Sequence, residues 1–255
     1  MNTRLVAAGL AVTLTLAGCA RNISSAMPAY GDALALSSAV SSAIAAKQSA
    51  RFKIETTEGE QGIEGEGSYR ANGDMRLTVT LTGVGELDVV LDGTAAYAKL
   101  PPEAASAVGG NLTEAKPWAK VTADGRDPIS RELGPLLTGL REDFDVVTAM
   151  EQLRWSGEMV KWSQEALDGK PVTHYWVEVD LPRLKGQTAT QLGVLDTAKY
   201  EIWLDAANLP VKFARSVPVN STTDVPVEFE YRDWGQSVDI APPPPAEVVA
   251  LASRR

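Results

Sequence analysis

The sequence predicts an α+β fold: one large curved antiparallel sheet of about ten strands, with helices covering its concave face. Three observations carry the prediction. Residues 51–100 and 158–231 alternate apolar and polar side chains with the period-two rhythm of half-buried strands. These stretches are divided by Asn72-Gly73-Asp74, Asp92-Gly93 and Asp168-Gly169-Lys170, turn chemistries that suit hairpins. Before the first stretch and between the two, apolar residues recur at helical spacing instead.

The amino terminus reads as an export signal. Met1-Asn2-Thr3-Arg4 is a short positive start, 5–16 is apolar, and Leu16-Ala17-Gly18-Cys19 follows as a small-residue cleavage site. This resembles the lipobox of bacterial lipoproteins, which implies cleavage before Cys19 and a diacylglyceryl group on its thiol. The apolar run is shorter than the roughly 20 residues that span hydrocarbon, and no later run is long enough either. Residues 1–18 are therefore expected to be a signal peptide, 19–31 a lipidated tether, and 32–255 a single domain on the outer face of the cytoplasmic membrane. Two acyl chains at Cys19 would give the two-signal anchoring that holds a protein stably.

Composition narrows the function. Cys19 is the only cysteine, so the body carries no disulfide. With 33 acidic against 24 basic residues the net charge is -9, and no basic stripe offers a track for phosphates. Nucleic acid is excluded as a partner on this ground. The same acidity makes the body a poor electrostatic binder of anionic lipid, which leaves tethering to the anchor.

Asp32 is placed to cap a helix over 32–48, whose apolar stripe is Leu34, Leu36, Val40 and Ile44. Five strands follow as a meander. In 51–57 Phe52, Ile54 and Thr56 share a face; 63–70 is Gly-rich with the same period; Leu77, Val79 and Leu81 form the next apolar row; Leu87, Val89 and Leu91 repeat it; and 95–100 closes the set. Pro101-Pro102 is expected to end the meander, with a loop to 111 and a short edge strand at 117–121.

Asp127-Pro128 supplies an N-cap and a first-turn proline for a helical insert over about 127–155. Its first half carries Ile129, Leu133, Leu136, Leu137 and Leu140, with a break expected at Gly134-Pro135. The second half runs from Asp145 through Val146, Val147, Met150 and Leu153. Strands return at 158–166 and 172–181, the latter with Tyr175, Val177 and Val179 on one face. On its other face Trp176 interrupts His174, Glu178 and Asp180, which suggests a sheet partly covered on both sides. Three more strands are expected at 199–204, 211–217 and 225–231, after an excursion containing Leu192, Val194 and Leu195. Past Ile240 come four consecutive prolines and a short helix expected at 247–253. Proline and charge blunt the sheet edges, so a monomer is the default.

Several segments in this order resemble a known family. They are the lipobox, Ala96-Tyr97-Ala98-Lys99-Leu100, the helical insert, the run from Ile202-Trp203-Leu204-Asp205 to Leu209-Pro210-Val211-Lys212, and Phe229-Glu230-Tyr231-Arg232-Asp233-Trp234-Gly235 before Val238-Asp239-Ile240. Together they are similar to the actinobacterial LppX/LprG-type lipoproteins of the LolA-like superfamily. The resemblance implies an incomplete barrel of about eleven strands around an apolar cavity that receives acyl chains. It also implies transfer or presentation of a membrane lipid or lipoglycan, with a membrane transporter as a candidate partner.

On this reading the cavity is lined by Leu77, Val79, Leu87, Val89, Leu133, Leu137, Leu140, Val177, Val179, Ile202 and Phe229. No catalytic residue, metal or cofactor is expected. His174 is the only histidine and is expected on the sheet surface; no G-x-S-x-G elbow is present. Glu55, Glu64, Glu66, Asp124 and Asp127 lack the spacing of a calcium loop, and Gly62, Gly65 and Gly67 precede no helix. The six tryptophans are dispersed, most of them expected in the core or half-buried. Two functional readings result: a lipid-binding carrier, and a non-catalytic envelope interaction protein with a solid core.

Overall fold

The computed structural model describes residues 27–56, 62–82, 85–93, 95–107, 112–122, 125–127, 129–131, 133–134, 137, 145–184, 197–220 and 223–249. The expected signal peptide, Cys19, Leu140 and the excursion at 185–196 lie outside these. The described residues form a twelve-stranded sheet in the order β12-β6-β5-β4-β3-β2-β1-β11-β10-β9-β8-β7. In chain order the strands are β1 (Ser49–Thr56), β2 (Ile63–Arg70), β3 (Met75–Leu81), β4 (Gly85–Asp92), β5 (Ala95–Lys99), β6 (Trp118–Val121), β7 (Gly157–Leu167), β8 (Lys170–Asp180), β9 (Thr197–Leu204), β10 (Pro210–Asn220), β11 (Thr223–Arg232) and β12 (Val248–Val249). The helices are α1 (Ala33–Lys47), α2 (Pro102–Ala107), α3 (Val146–Ser156) and the single turn α4 (Leu181–Leu184).

The two meanders join through β1 and β11, where Phe52 pairs with Tyr231 and Ile54 with Phe229. This pairing makes one sheet of both halves. Every neighbouring pair is antiparallel except β12 with β6. That exception corrects two expectations. The tail forms a 3₁₀ turn at Pro245–Glu247 and then a strand, where a helix was expected, and β6 is consequently an inner strand. The edges are the two-residue β12 and the eleven-residue β7.

Helix α1 begins with the Asp32 carboxylate accepting from the Ala35 amide at 2.8 Å and ends at Gln48 in the left-handed region. Leu36, Val40 and Ile44 are its buried stripe, while Leu34, expected among them, faces solvent. In a helix this rich in Ala and Ser, two stripes fit the spacing equally well, and only tertiary packing selects one. Fifteen residues make a rod about 22 Å long. The six strands from β7 to β1 in sheet order span about 24 Å at ordinary strand spacing. Helix α1 starts with Ala33 against Gly157 at the head of β7 and ends at the head of β1, so it bridges half the curved sheet as a chord.

The insert begins as its N-cap predicts. Asp127 accepts from the Ser130 amide at 2.8 Å, and the described residues from Ile129 to Leu137 are helical. Helix α3 is capped by Asp145, which accepts from the Val147 amide at 3.0 Å and the Thr148 hydroxyl at 3.1 Å. Between 102 and 107, where a loop was expected, the chain forms α2. Proline at its first position and alanine at three of the remaining five favour a helix on propensity alone, without any apolar period to reveal it.

On β2 the glycine at 67 is required by a close approach. A Cβ there would sit 2.4 Å from the Arg76 carbonyl oxygen and 2.8 Å from the Phe52 ring, which lies across this gap from the neighbouring strand. Gly67→Ala is expected to cost about 2 kcal/mol in urea unfolding through strand displacement. Gly62→Ala, whose nearest neighbour would be Thr82 Oγ1 at 3.5 Å, should stay within about 0.5 kcal/mol. Equal midpoints for the two variants would contradict this account of the strand.

Candidate functional site

Cross-strand register assembles the concave face from single residues. Leu87, Val79, Gly65, Ile54, Phe229, Phe213, Ile202, Tyr175 and Trp162 are successive partners from β4 to β7. Phe52, Gly67, Leu77, Val89, Ala98 and Ala119 form a parallel row from β1 to β6. Both rows are apolar throughout. The sheet thus offers a continuous greasy surface that must be shielded from water.

Helix α1 packs on α3 and β7, and α3 packs on β7, β8 and α4. These two helices shield the β7–β8 side. The same apolar cluster also contains Ile129 and Leu137, with Leu133, Leu112, Ala104 and Ala105 packed against it. Leu77, Val79, Leu87, Val89, Val177, Val179, Ile202 and Phe229 all belong to this cluster. Leu137 is buried with them, Leu133 is half-buried, and Leu140 is outside the described residues. The expected lining did not include Leu36, Val40, Phe52, Met150, Leu153, Tyr200 and Phe213, all buried in the same interior, although the first five were read as apolar positions of their own elements. Spacing hid Phe213, because the charged Arg215 shares its face two residues on and breaks the apolar row.

The interior is not uniformly apolar. The Tyr200 hydroxyl donates to Gln152 on α3, and the Arg215 guanidinium lies 5.4 Å from the Tyr200 ring centre. Asp145 at the head of α3 lies beside the hydroxyl of Tyr69, with Tyr231 near enough to feel its charge. Burial pushes the Asp145 carboxyl above the ordinary carboxylate range, against the hydrogen bonds it accepts from Val147 and Thr148 on its own helix. The same loss of water pushes the Tyr69 and Tyr231 hydroxyls well above theirs. Helix α3 is therefore tied to the sheet by the hydrogen bond of Tyr200 to Gln152, while the Asp145 carboxylate is satisfied within the helix by Val147 and Thr148.

On the opposite face His174 is buried, a correction to its expected surface position. Its ring lies between Trp176, centroid distance 3.4 Å, and Trp203, at 3.8 Å. Nδ1 faces Glu165 at 3.2 Å and Nε2 faces Glu201 at 2.9 Å, while Glu165 also accepts from the Trp203 indole at 2.6 Å. Lys161 and Lys212 lie over the outer faces of Trp176 and Trp203. This lateral stack explains why Trp176 interrupts a polar row: the second face is covered by side chains of its own strands. With both nitrogens and both ring faces occupied, His174 has no atom free to act on a substrate. Among the described residues no group of three His, Cys, Asp or Glu side chains is arranged to hold a metal ion.

The surface carries open clefts of differing character, one of them, about 330 Å³, lined largely by Leu167, Pro171, Val172, Val211 and Tyr231 and another polar. The polar one, of about 420 Å³, is lined by Arg51, Glu66, Ser68, Arg76, Thr78, Arg232 and Asp233. Its charges largely pair with each other, Arg51 with Asp233 and Arg232 with Glu66, both at 3.1 Å.

The fold is shared with lipoprotein LppX of Mycobacterium tuberculosis, at 14% sequence identity and a TM-score of 0.50, over 82% of this chain and 98% of that one. LprF of Mycobacterium bovis is similar at 13% identity and a TM-score of 0.49, over 83% of this chain and 96% of that one. No family model matches the chain, and no curated protein matches it in sequence. The architecture is that of the LppX type: a large, mainly antiparallel sheet with helices against it.

The single histidine gives a direct check on the outer-face stack. Burial lowers its pKa, with Glu165 and Glu201 opposing the shift. A lowered value means that the folded state favours the neutral ring. The stability this contributes is present above about pH 6.5 and is lost as pH falls through the folded value. An NMR titration of the ring is expected to give a midpoint below 6.5, and Glu201→Gln should lower it further. A midpoint above that of a free imidazole would refute the assignment.

Proposed function

We propose that this protein is a bacterial envelope lipoprotein, anchored through Cys19, that holds acyl chains in the apolar interior between its sheet and helical cover. Its task is transfer or presentation of a lipid or lipoglycan, without covalent chemistry. The observation that carries the reading is the unbroken apolar row from Leu87 to Trp162, which crosses nine strands and ends at the β7 edge. The amino-terminal lipobox and the fold shared with a mycobacterial lipoprotein support it.

Energetics suit a carrier. Removing an acyl chain from water is favourable by about 0.8 kcal/mol per CH₂, so an apolar interior shields it without polar chemistry. Moving it from a bilayer exchanges one apolar medium for another and is near balance. Entry then depends on opening the cover formed by the segment from Asp127 to Ser156. The alternative, a tethered interaction domain with a solid interior, draws support from Phe52, whose ring fills the space above Gly67.

Native mass spectrometry of the full chain from a lipid-rich bacterial host decides between them. A co-purifying amphiphile near one per protein is expected, with uptake of a fluorescent long-chain fatty acid by the emptied protein. Leu137→Trp, which fills the interior under the cover, should lower occupancy to less than about half. Empty protein that takes up no probe would remove the carrier reading and leave the solid domain.

A further inference from the structure

Four large apolar side chains stand out among the described residues for their exposure: Leu34 at 54%, Trp155 at 62%, Val160 at 56% and Trp162 at 44%. They are not scattered. Trp155 is the penultimate residue of α3, and Val160 and Trp162 lie on β7, which begins two residues after Trp155. Leu34 follows Ala33, whose Cβ lies against Gly157 at the head of β7. All four therefore belong to the junction of α1, α3 and the long sheet edge. Val160 falls at a register shift between Met159 and Lys161, which turns it out of the ladder. Exposed Arg154 and Lys161 flank the indoles, and Glu158 is the only acid in 154–162.

The chain from Cys19 arrives at the same place. Gln164, two residues from Trp162, donates to the Met27 carbonyl at 3.3 Å. Thr173 and Tyr175 on β8 donate to the Pro28 carbonyl at 3.0 and 3.2 Å, and the Tyr30 hydroxyl donates to Asn208 at 2.9 Å. From Cys19 to Met27 the backbone reaches at most about 28 Å, whatever its path. A lipid on Cys19 thus confines the β7 edge to the neighbourhood of the bilayer. The net charge of -9 gives the body no electrostatic attraction to an anionic membrane, so contact there must be made by apolar and interfacial side chains.

We propose that Leu34, Trp155, Val160 and Trp162 form a face that seats the body on the lipid bilayer. The proposal rests on the anchored-lipoprotein part of the reading above. Seating this face brings the end of the concave row, at Trp162, to the membrane surface. Arg154, next to Trp155, then lies at headgroup level, while Lys161 stays over Trp176 on the opposite sheet face.

The test uses the full, host-processed chain reconstituted into phosphatidylcholine vesicles with brominated acyl chains, which quench tryptophans at the bilayer. Quenching is expected in the unmodified protein and should fall by more than about half in the Trp155→Phe/Trp162→Phe double variant. Trp176→Phe, on the opposite sheet face, should leave it unchanged. Mass analysis of the Cys19 peptide reports the anchor separately. Lipidated, vesicle-bound protein without quenching overturns the docking face and leaves the anchor intact. Quenching with an unmodified Cys19 upholds the face and removes the anchor. Loss of both removes both. Self-association that buries Trp155 and Trp162 from solvent, with no quenching, would assign the face to a second copy instead.

Discussion

The fold depends on one constraint: an apolar surface spread over twelve strands cannot be left facing water. Flat, such a sheet would be about 50 Å across, whereas two helices about 10 Å wide cover well under half of it. Curling brings the covered and uncovered parts toward each other and lets one helix serve as a chord. Helix α1 has the length this requires. Between β6 and β7, Ile129, Leu133 and Leu137 join the same apolar cluster and add to the cover.

A purely apolar interior would hold this cover without fixing where it sits. The buried polar groups supply the register. Gln152 on α3 meets the Tyr200 hydroxyl of β9 in one placement of the helix only. Sliding the helix by a turn would break the bond between the buried Tyr200 hydroxyl and Gln152, at about 1–3 kcal/mol. Arg215 within the concave face adds a charge whose burial is tolerable only in a well-determined setting. The outer-face stack of His174 with two tryptophans stiffens the β7–β9 corner in the same way.

The strands were legible because alternation and turn chemistry are local signals. Leu77, Val79, Leu87 and Val89 announce their face without reference to anything distant, and Asn72-Gly73 fixes where the next strand begins. The helix caps Asp32, Asp127 and Asp145 were legible for the same reason. What was not legible depends on who sits beside whom. Val248 and Val249 become a strand only because β6 offers a free edge. The edge status of β7 follows from β1 pairing with β11, a contact between the two ends of the chain. Leu34 and His174 show the limit within one element: periodicity assigns a face, but exposure depends on neighbours that other strands and helices bring.

The arrangement of the molecule separates two jobs that its composition sets against each other. An acidic body is not drawn to an anionic surface, yet a carrier, as proposed, has to bring its interior to lipid. On that reading, having residues 27–30, the exposed indoles and the end of the concave row at one edge resolves the conflict, because an anchor at Cys19 would hold that edge near the membrane. The remaining barrier is then internal. Apolar contacts between cover and sheet can be exchanged for contacts with an acyl chain at little net cost, whereas the hydrogen bond of Tyr200 to Gln152 has no such replacement. On the proposed reading that one polar attachment, and not the greasy area around it, would set how readily the cover lifts, and α3 would hinge on the β7–β8 side, where the helix leads directly into the sheet.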